Sequence, residues 1–353
     1  MLFTGTFQSA LKKILIDTKP KKILLVSGNK SFIQVSDFFN LLKKELSLTH
    51  ITDLEDFPSK FKLAKITQKI SSNNYDLLIA IGGGKIIDYG KLIALQLSNN
   101  SEGINLIGSN NPSTIPIIAI PTTAGSGSEA TSFAVLYENK VKYSIDCESL
   151  RPLASILDYK LILNLNKRQL SISAMDALCQ GLESVWSINS NEKSLIYSDI
   201  SLKLTVPHIL EFINSDSIQV KKSFFLGSHY AGKAINISKT TAPHALSYFL
   251  TQYHKIPHGE AVGIFILPFL KFNFPLMNKK RKAIILNAFD SNSIHEIIEK
   301  LGNIKSSLSL RFNLNEVKDL NDKDLLKNVN IQRLSNNPGN LNDQKLKKIL
   351  EII

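Results

Sequence analysis

Four residues in the second half of the chain have types and spacings that suit a divalent ion. Asp176 and Gln180 stand four apart in a segment of helical periodicity, so their side-chain oxygens share one face while Leu178 and Leu182 turn elsewhere. Further on come His244, in Ala242-Pro243-His244-Ala245, and His258, in Ile256-Pro257-His258-Gly259. One carboxylate, one amide oxygen and two imidazoles form a mixed oxygen and nitrogen donor set suited to Fe(II) or Zn(II), with room for a substrate oxygen. The other histidines, His50, His208, His229, His254 and His295, are read as surface or core residues.

A second group of residues suits a nucleotide. Gly82-Gly83-Gly84-Lys85 follows an apolar run and opens a helical pattern. Backbone without Cβ atoms approaches a pyrophosphate closely, and the N–H groups and dipole of the helix start favour its charge. The run differs from the usual fingerprint of three spaced glycines. Pro121 to Glu129 again follows an apolar strand, and the hydroxyls of Thr122, Thr123 and Ser126 can bond a ribose, a pyrophosphate or a carboxamide. A tight βα turn and a capped helix start would explain each motif singly. Two such turns at neighbouring strand ends favour a shared nucleotide cleft, because α/β sheets bind ligands outside the carboxyl ends of their strands. The turn after the first strand, Ser27-Gly28-Asn29-Lys30, holds no carboxylate to grip a ribose 2′-hydroxyl and has a cation nearby. NADPH is therefore permitted, beside NADH.

These groups need a scaffold, and the pattern of apolar runs describes one. Lys22–Val26, Asp76–Ile81 and Ile115–Ile120 read as buried strands. Phe32, Val35, Phe39 and Leu42 fall on one helical stripe, as do Ile86, Gly90, Ile93 and Leu97. From about Leu161 helical signals take over, with Leu178, Leu182, Val185 and Trp186 facing a core. The expected architecture is an α/β domain over residues 1–160, a parallel sheet with flanking helices, and an all-α domain over 161–353 that binds metal and substrate. The Asn/Ser/Lys-rich stretches Ser98–Asn111 and Asn313–Asn342 read as surface loops and short polar helices.

Composition narrows the function classes. With 353 residues, 43% of them hydrophobic and 20% charged, the chain has the make-up of a folded domain pair rather than a disordered one. Lys and Arg number 42 against 30 Asp and Glu, but the bases are spread through segments such as Leu42–Leu46 and Lys345–Leu350. A solvated basic surface, with no nucleic-acid partner, is the expectation. Two cysteines, Cys147 and Cys179, make no disulfide framework. The start Met1-Leu2-Phe3-Thr4-Gly5 lacks a signal-peptide pattern, and the apolar run Ala261–Leu270 is short for a membrane span and contains Pro268. The reading is a cytoplasmic protein with no membrane partner.

Together these residues resemble the iron-dependent (group III) alcohol dehydrogenase family over nearly the whole chain. Gly82-Gly83-Gly84-Lys85 with Asp88 looks like its pyrophosphate motif, and Pro121 to Glu129 like its second nucleotide signature. Asp176-Ala177-Leu178 matches the start of its metal helix, and His244 and His258 its paired histidine ligands. The resemblance implies the dehydroquinate synthase-like architecture and the four ligands Asp176, Gln180, His244 and His258. It also implies that Asp88 and Lys142 contact the cofactor with Gly28, Gly82, Gly83, Gly84, Lys85, Thr122, Thr123 and Ser126. Gln180 stands where most members have a third histidine, and Tyr248 where many have another active-site histidine; Tyr248 either donates a proton or packs.

Met175–Gln180 and Lys239–His244 are similar to the phosphonoacetaldehyde reductase branch, which implies reduction of phosphonoacetaldehyde to 2-hydroxyethylphosphonate in phosphonate biosynthesis. The substrate is then a small anionic aldehyde or alcohol. Lys239, Thr240 and Thr241 are the candidates for its charged end, and Tyr248 and Lys239 the catalytic candidates. Three alternatives stay open: a general short-chain alcohol or polyol dehydrogenase, a dehydroquinate-synthase-like lyase, against which Asp176 argues, and an inactive binding relative. Oligomeric state is also open, a homodimer included.

Overall fold

The computed structural model describes residues 1–71, 73–99, 114–138, 141–311 and 313–351. The chain divides into two units, one of residues 1–123 and 128–164, the other of 124–127 and 165–353.

In the first unit the apolar runs become six parallel strands: β1 Leu2–Thr4, β2 Lys22–Ser27, β3 Ser47–Ile51, β4 Leu77–Gly82, β5 Ile117–Pro121 and β8 Ala154–Leu157. They lie in the order β1-β8-β5-β4-β2-β3, while β6 Phe133–Glu138 and β7 Val141–Asp146 form a separate antiparallel hairpin. Parallel strands covered on both faces need apolar residues at every position, and Ile23, Leu24, Leu25 and Val26 have no exposed surface. Alternate residues serve opposite faces. Leu24, Val26, Leu78 and Ala80 pack with Leu63, Ile66, Ile87 and Leu92, whereas Ile23, Leu25, Ile79 and Ile81 pack with Leu11, Ile14 and Phe39.

The expected helical stripe from Phe32 to Leu42 is two helices, Asn29–Ile33 and Ser36–Glu45, because Val35 leaves the helical region at φ −124°, ψ 0°. The expected loop Ser98–Asn111 lies outside the described residues beyond Asn99.

Lys91 is a test of this unit's interior. It has no exposed surface, and its Nζ donates to Thr131 O, Thr131 Oγ1 and Phe133 O at 2.7, 3.1 and 2.9 Å. Burial lowers its pKa to about 8 despite the attraction of Asp88, Glu129 and Asp146. Lys91→Met removes the donor and strands buried acceptors, so we expect thermal unfolding to show a loss of about 2–4 kcal/mol. Equal stability would show the network to be dispensable.

Among the described residues no strand follows β8, and the second unit is helical. Its central helix, Lys167–Trp186, starts with a capping box between Asn166 and Gln169 and is buried on all sides from Ala174 onward. Leu178, Leu182, Val185 and Trp186 are fully covered. The chain passes into this unit after Asn164, close to the expected boundary near residue 160, and the segment Ala124–Gly127 groups with it as well. Gln180 Nε2 donates to Ser126 O at 3.3 Å, a tie from the central helix to that loop.

The run Ala261–Leu270 is part of a longer helix, His258–Asn273, extended by the turn Phe274–Leu276. By length and composition His258–Leu276 passes as a membrane span, yet 67% of its apolar window is buried inside the protein. A core helix accounts for that composition.

Candidate active site

In the first unit, the expected nucleotide residues Gly28, Gly82–Gly84, Thr122 and Thr123 gather at the carboxyl edge of the sheet, while Lys142 stands on the separate hairpin and Ser126 belongs to the second unit. β3 lies on one side of β2 and β4 on the other, so the winding reverses between β2 and β4. This is the switch point at which open α/β sheets bind ligands. Register pairs Ser27 with Ile81 and Gly82 with Pro121, which sets Gly28, Gly82–Gly84 and Thr122–Thr123 side by side. Gly82 has φ +157°, and a Cβ there would lie 2.6 Å from Ile86, so the turn requires glycine. The helix Gly84–Asn99 starts directly after it, offering unbonded N–H groups at its first turn. Ser31 Oγ and Thr122 Oγ1 approach to 3.4 Å across the two turns.

The flanking charges are partly committed. Lys85 is ion-paired with Asp56 at 3.4 Å. Asp88 is buried, with Oδ2 accepting from Val135 N at 3.0 Å and Oδ1 left without a hydrogen bond. Burial raises its pKa, against the pull of Lys91, the Val135 and Ser128 bonds and Lys142. Asp88 thus fastens the β6–β7 hairpin to the Gly84–Asn99 helix, with Lys142 in electrostatic reach. At the end of β2, Ser27 Oγ meets His50 Nε2 at 2.8 Å.

In the second unit, Asp176, His244 and His258 each offer a ligand atom, and these atoms lie within 4.8 Å of one another. Three elements bring them together. Asp176 comes from the middle of the central helix, His244 from the first turn of Ala242–Tyr253, and His258 starts the helix His258–Asn273. Pro243 lies in the first turn of the His244 helix and Pro257 caps the start of the His258 helix, places where the missing N–H of proline costs nothing. Gly259 lets the His258 helix come close. A Cβ there would sit 2.1 Å from Ile172 O and 3.0 Å from Asp176 Cβ.

Asp176 Oδ1 stands 3.5 Å from His244 Nε2, and the His244 and His258 rings are 5.2 Å apart at 72°. Burial opposes charge on His244, but the Glu183 carboxylate and the Asp176 hydrogen bond outweigh it and raise its pKa to about 9. For Asp176 burial raises the pKa and the two imidazoles with Gln180 overcome that, holding it below the usual range.

The donor chemistry fits such an ion: one carboxylate and two imidazoles converge, and Gln180 Oε1 is a buried oxygen with no hydrogen-bond partner. Gln180 Nε2 donates to Asp176 Oδ1 at 3.0 Å, so here the amide faces the cluster with its nitrogen. A half-turn of the amide would present Oε1 instead.

The raised His244 pKa has a pH consequence. Its protonation stabilises the metal-free fold fully below pH 6.5, and that contribution fades as pH rises through about 9. Metal must displace this proton, so Zn(II) affinity is expected to climb between pH 6.5 and 9, approaching about tenfold per unit. Calorimetric titration across that range checks it, and a flat profile would contradict it.

Two buried carboxylates near these ligands escaped the sequence reading. Glu183 has no exposed surface; it accepts from Thr241 N at 2.7 Å and Thr241 Oγ1 at 2.8 Å, and pairs with His244 Nδ1. That bond fixes the tautomer and aims Nε2 at the cluster. Trp186 Nε1 donates to Thr241 Oγ1 at 2.8 Å, so Thr241 is engaged in positioning rather than open to an anion. Glu260, two residues past His258 and 1% exposed, accepts from Arg168 at 2.6 Å and from Arg311 N and Nη1 at 2.9 and 3.1 Å. The signal for Glu183 was its position seven residues after Asp176, two helical turns along the same face.

Of the catalytic candidates, Tyr248 stacks on His258, ring centroids 5.8 Å apart at 26°. Burial raises its pKa, against Arg333 and the hydrogen bonds its hydroxyl makes with Thr240 and Arg333. Lys239, at the end of the helix Ile218–Ser238, adopts φ +59°, ψ 170°, a conformation rare for a side-chain-bearing residue.

Residues 4–159 match the family profile described as iron-containing alcohol dehydrogenase, and residues 171–353 match that of the Fe-containing alcohol dehydrogenase family, C-terminal. The chain belongs to this family. Among relatives, the phosphonoacetaldehyde reductase of Streptomyces viridochromogenes is 30% identical over 224 residues, 60% of this chain and 56% of that protein. The sulfoacetaldehyde reductase of Bilophila wadsworthia is 28% identical over 262 residues, 71% of this chain and 66% of that one. The alignments thus span less than two thirds of either relative. The crystal structure of sulfoacetaldehyde reductase from Bifidobacterium kashiwanohense in complex with NAD+ superposes with a TM-score of 0.90, at 23% identity, over 100% of this chain and 96% of that one. At that identity the likeness speaks for the fold: this member of the family has the α/β and helical units of the superposed structure.

Proposed function

We infer that the chain is a metal-dependent, NAD(P)H-linked reductase that converts a small anionic aldehyde, phosphonoacetaldehyde, to its alcohol, 2-hydroxyethylphosphonate. The observation that carries this reading is the convergence of Asp176, His244 and His258 in a member of this dehydrogenase family. When bound, Fe(II) or Zn(II) supplies Lewis acidity toward the aldehyde oxygen, and the nicotinamide supplies hydride.

The chain's own residues do the rest. Asp176 contributes the negative ligand, His244 is aimed by Glu183, His258 is backed by the Tyr248 ring, and Gln180 is assigned as a fourth donor through Oε1. Tyr248 keeps its proton at neutral pH and is the hydroxyl assigned to the product oxygen. Gly28, Gly82, Gly83 and Gly84 admit the pyrophosphate; Thr122, Thr123, Ser126 and Lys142 are assigned to the rest of the nucleotide, with Lys85 and Asp88 at the margin. Since Ser27 is occupied by His50 and no carboxylate follows it before Asp37, both NADH and NADPH are admitted.

The substrate is favoured by the similarity to two reductases whose names specify aldehydes with a tetrahedral oxyanion. The test is direct. Metal-reconstituted protein should consume NAD(P)H with phosphonoacetaldehyde at about tenfold or greater kcat/KM than with propanal, a preference one anion contact supplies. Equal efficiencies would leave a general alcohol dehydrogenase, and no consumption with either aldehyde would refute the reductase itself.

A further inference from the structure

A buried cation that the sequence reading passed over stands beside this site. The polar stretch Asn313–Asn342 was expected to be surface, yet Arg333 is only 5% exposed, with Asn336 and Asn337 buried beside it. Arg333 belongs to the short helix Ile331–Leu334, whose cap Asn330 accepts from Arg333 N at 2.9 Å. Two bonds clip this helix onto the metal-ligand region from either end. Asn330 N donates to Ala245 O at 3.3 Å, and Asn336 Nδ2 donates to Thr240 O at 2.9 Å. The guanidinium reaches the Tyr248 hydroxyl, which also bonds Thr240, and the Tyr248 ring lies on His258. Arg333 is therefore one aromatic ring away from a ligand of the cluster.

We propose that Arg333, with the Thr240 hydroxyl, anchors the charged end of the substrate and so determines the enzyme's preference for anionic aldehydes. The assignment rests on the reductase reading above. A guanidinium presents N–H donors in a planar fork that matches a tetrahedral oxyanion, and its charge acts strongly where water is excluded. The Tyr248 ring lies between this arginine and His258, so a charge held by Arg333 would stand beside the cluster. The assignment also changes the expected anchor, since Thr241 is bound to Glu183 and Trp186.

The experiment compares wild type, Arg333→Met, Arg333→Lys and Lys239→Ala for kcat/KM with phosphonoacetaldehyde and with propanal. Inhibition of propanal reduction by phosphonoacetate is measured alongside. For Arg333→Met the ratio of the two efficiencies should fall by about 30-fold or more, mainly through KM, and the inhibition constant should rise in parallel. Arg333→Lys, which keeps the charge without the fork, should lose part of the ratio, and it gives the decisive comparison if the Met variant does not fold. Proportional losses with both aldehydes would make Arg333 structural and overturn the proposal. So would an unchanged ratio, or a loss seen only with Lys239→Ala. A wild type that does not prefer phosphonoacetaldehyde would refute the anionic-substrate reading itself, a result distinct from failure of the arginine assignment.

Discussion

Asp176→Asn is expected to abolish reductase activity, with kcat/KM down by about a thousandfold or more, while the fold survives. The carboxylate is the only negative donor of the three converging side chains, and an amide of equal shape is a far weaker ligand. Several kcal/mol of Lewis-acid stabilisation disappear if the ion is lost, and each 1.4 kcal/mol is about tenfold in rate. Asp176 also accepts from Gln180 and faces His244, so a modest loss of stability, about 1–3 kcal/mol, accompanies the change. Metal content after reconstitution separates causes. A variant that binds the ion as tightly as wild type and turns over normally would remove Asp176 from the site.

Glu183→Ala carries the second largest effect, and it acts without touching a ligand atom. The carboxylate takes two hydrogen bonds from Thr241 and one from the His244 ring, all with no access to solvent. Removing it frees the imidazole to turn and strands buried donors. Metal affinity should fall about 10- to 100-fold, and stability by about 3–5 kcal/mol. Glu183→Gln, which retains an acceptor, should restore much of the stability but less of the affinity, because a neutral amide does not raise the basicity of His244 as a carboxylate does. Trp186, the chain's only tryptophan, donates to Thr241 and so reports on the same network. Its fluorescence offers a readout of metal binding that is independent of turnover. Affinity unchanged in both variants would make Glu183 a packing residue.

What could be read from the sequence depended on whether the signal was local. β2, β4 and β5 were legible because strands buried on both faces are continuous apolar runs, and the glycines after β4 because turns concentrate in few residue types. β1, β3 and β8 were not: runs of three to five residues carry too little pattern, β1 and β3 being partly exposed as well, and their strand character comes from pairing with neighbours. Asp176, His244 and His258 stood out in the sequence because histidines after Pro243 and Pro257 and a carboxylate in an apolar helix are unusual, and the structure brings the three together. Glu183 and Glu260 look like ordinary helical acids until their partners are seen. Arg333 was hidden for the same reason. A run rich in Asn and Lys reads as solvated, and only the bonds to Ala245 and Thr240 show that it folds back onto the helix of His244.

The central claim is that Asp176, His244 and His258 hold a divalent ion on which reduction depends. Purified protein stripped with a chelator and titrated with Fe(II) or Zn(II) under anaerobic conditions tests it most directly, with metal content, Trp186 fluorescence and NAD(P)H consumption followed together. The expected result is saturation at about one ion per chain, with activity rising in proportion and returning to zero on chelation. Full aldehyde reduction by the stripped protein, or tight ion binding that persists in a triple variant lacking all three side chains, would contradict it.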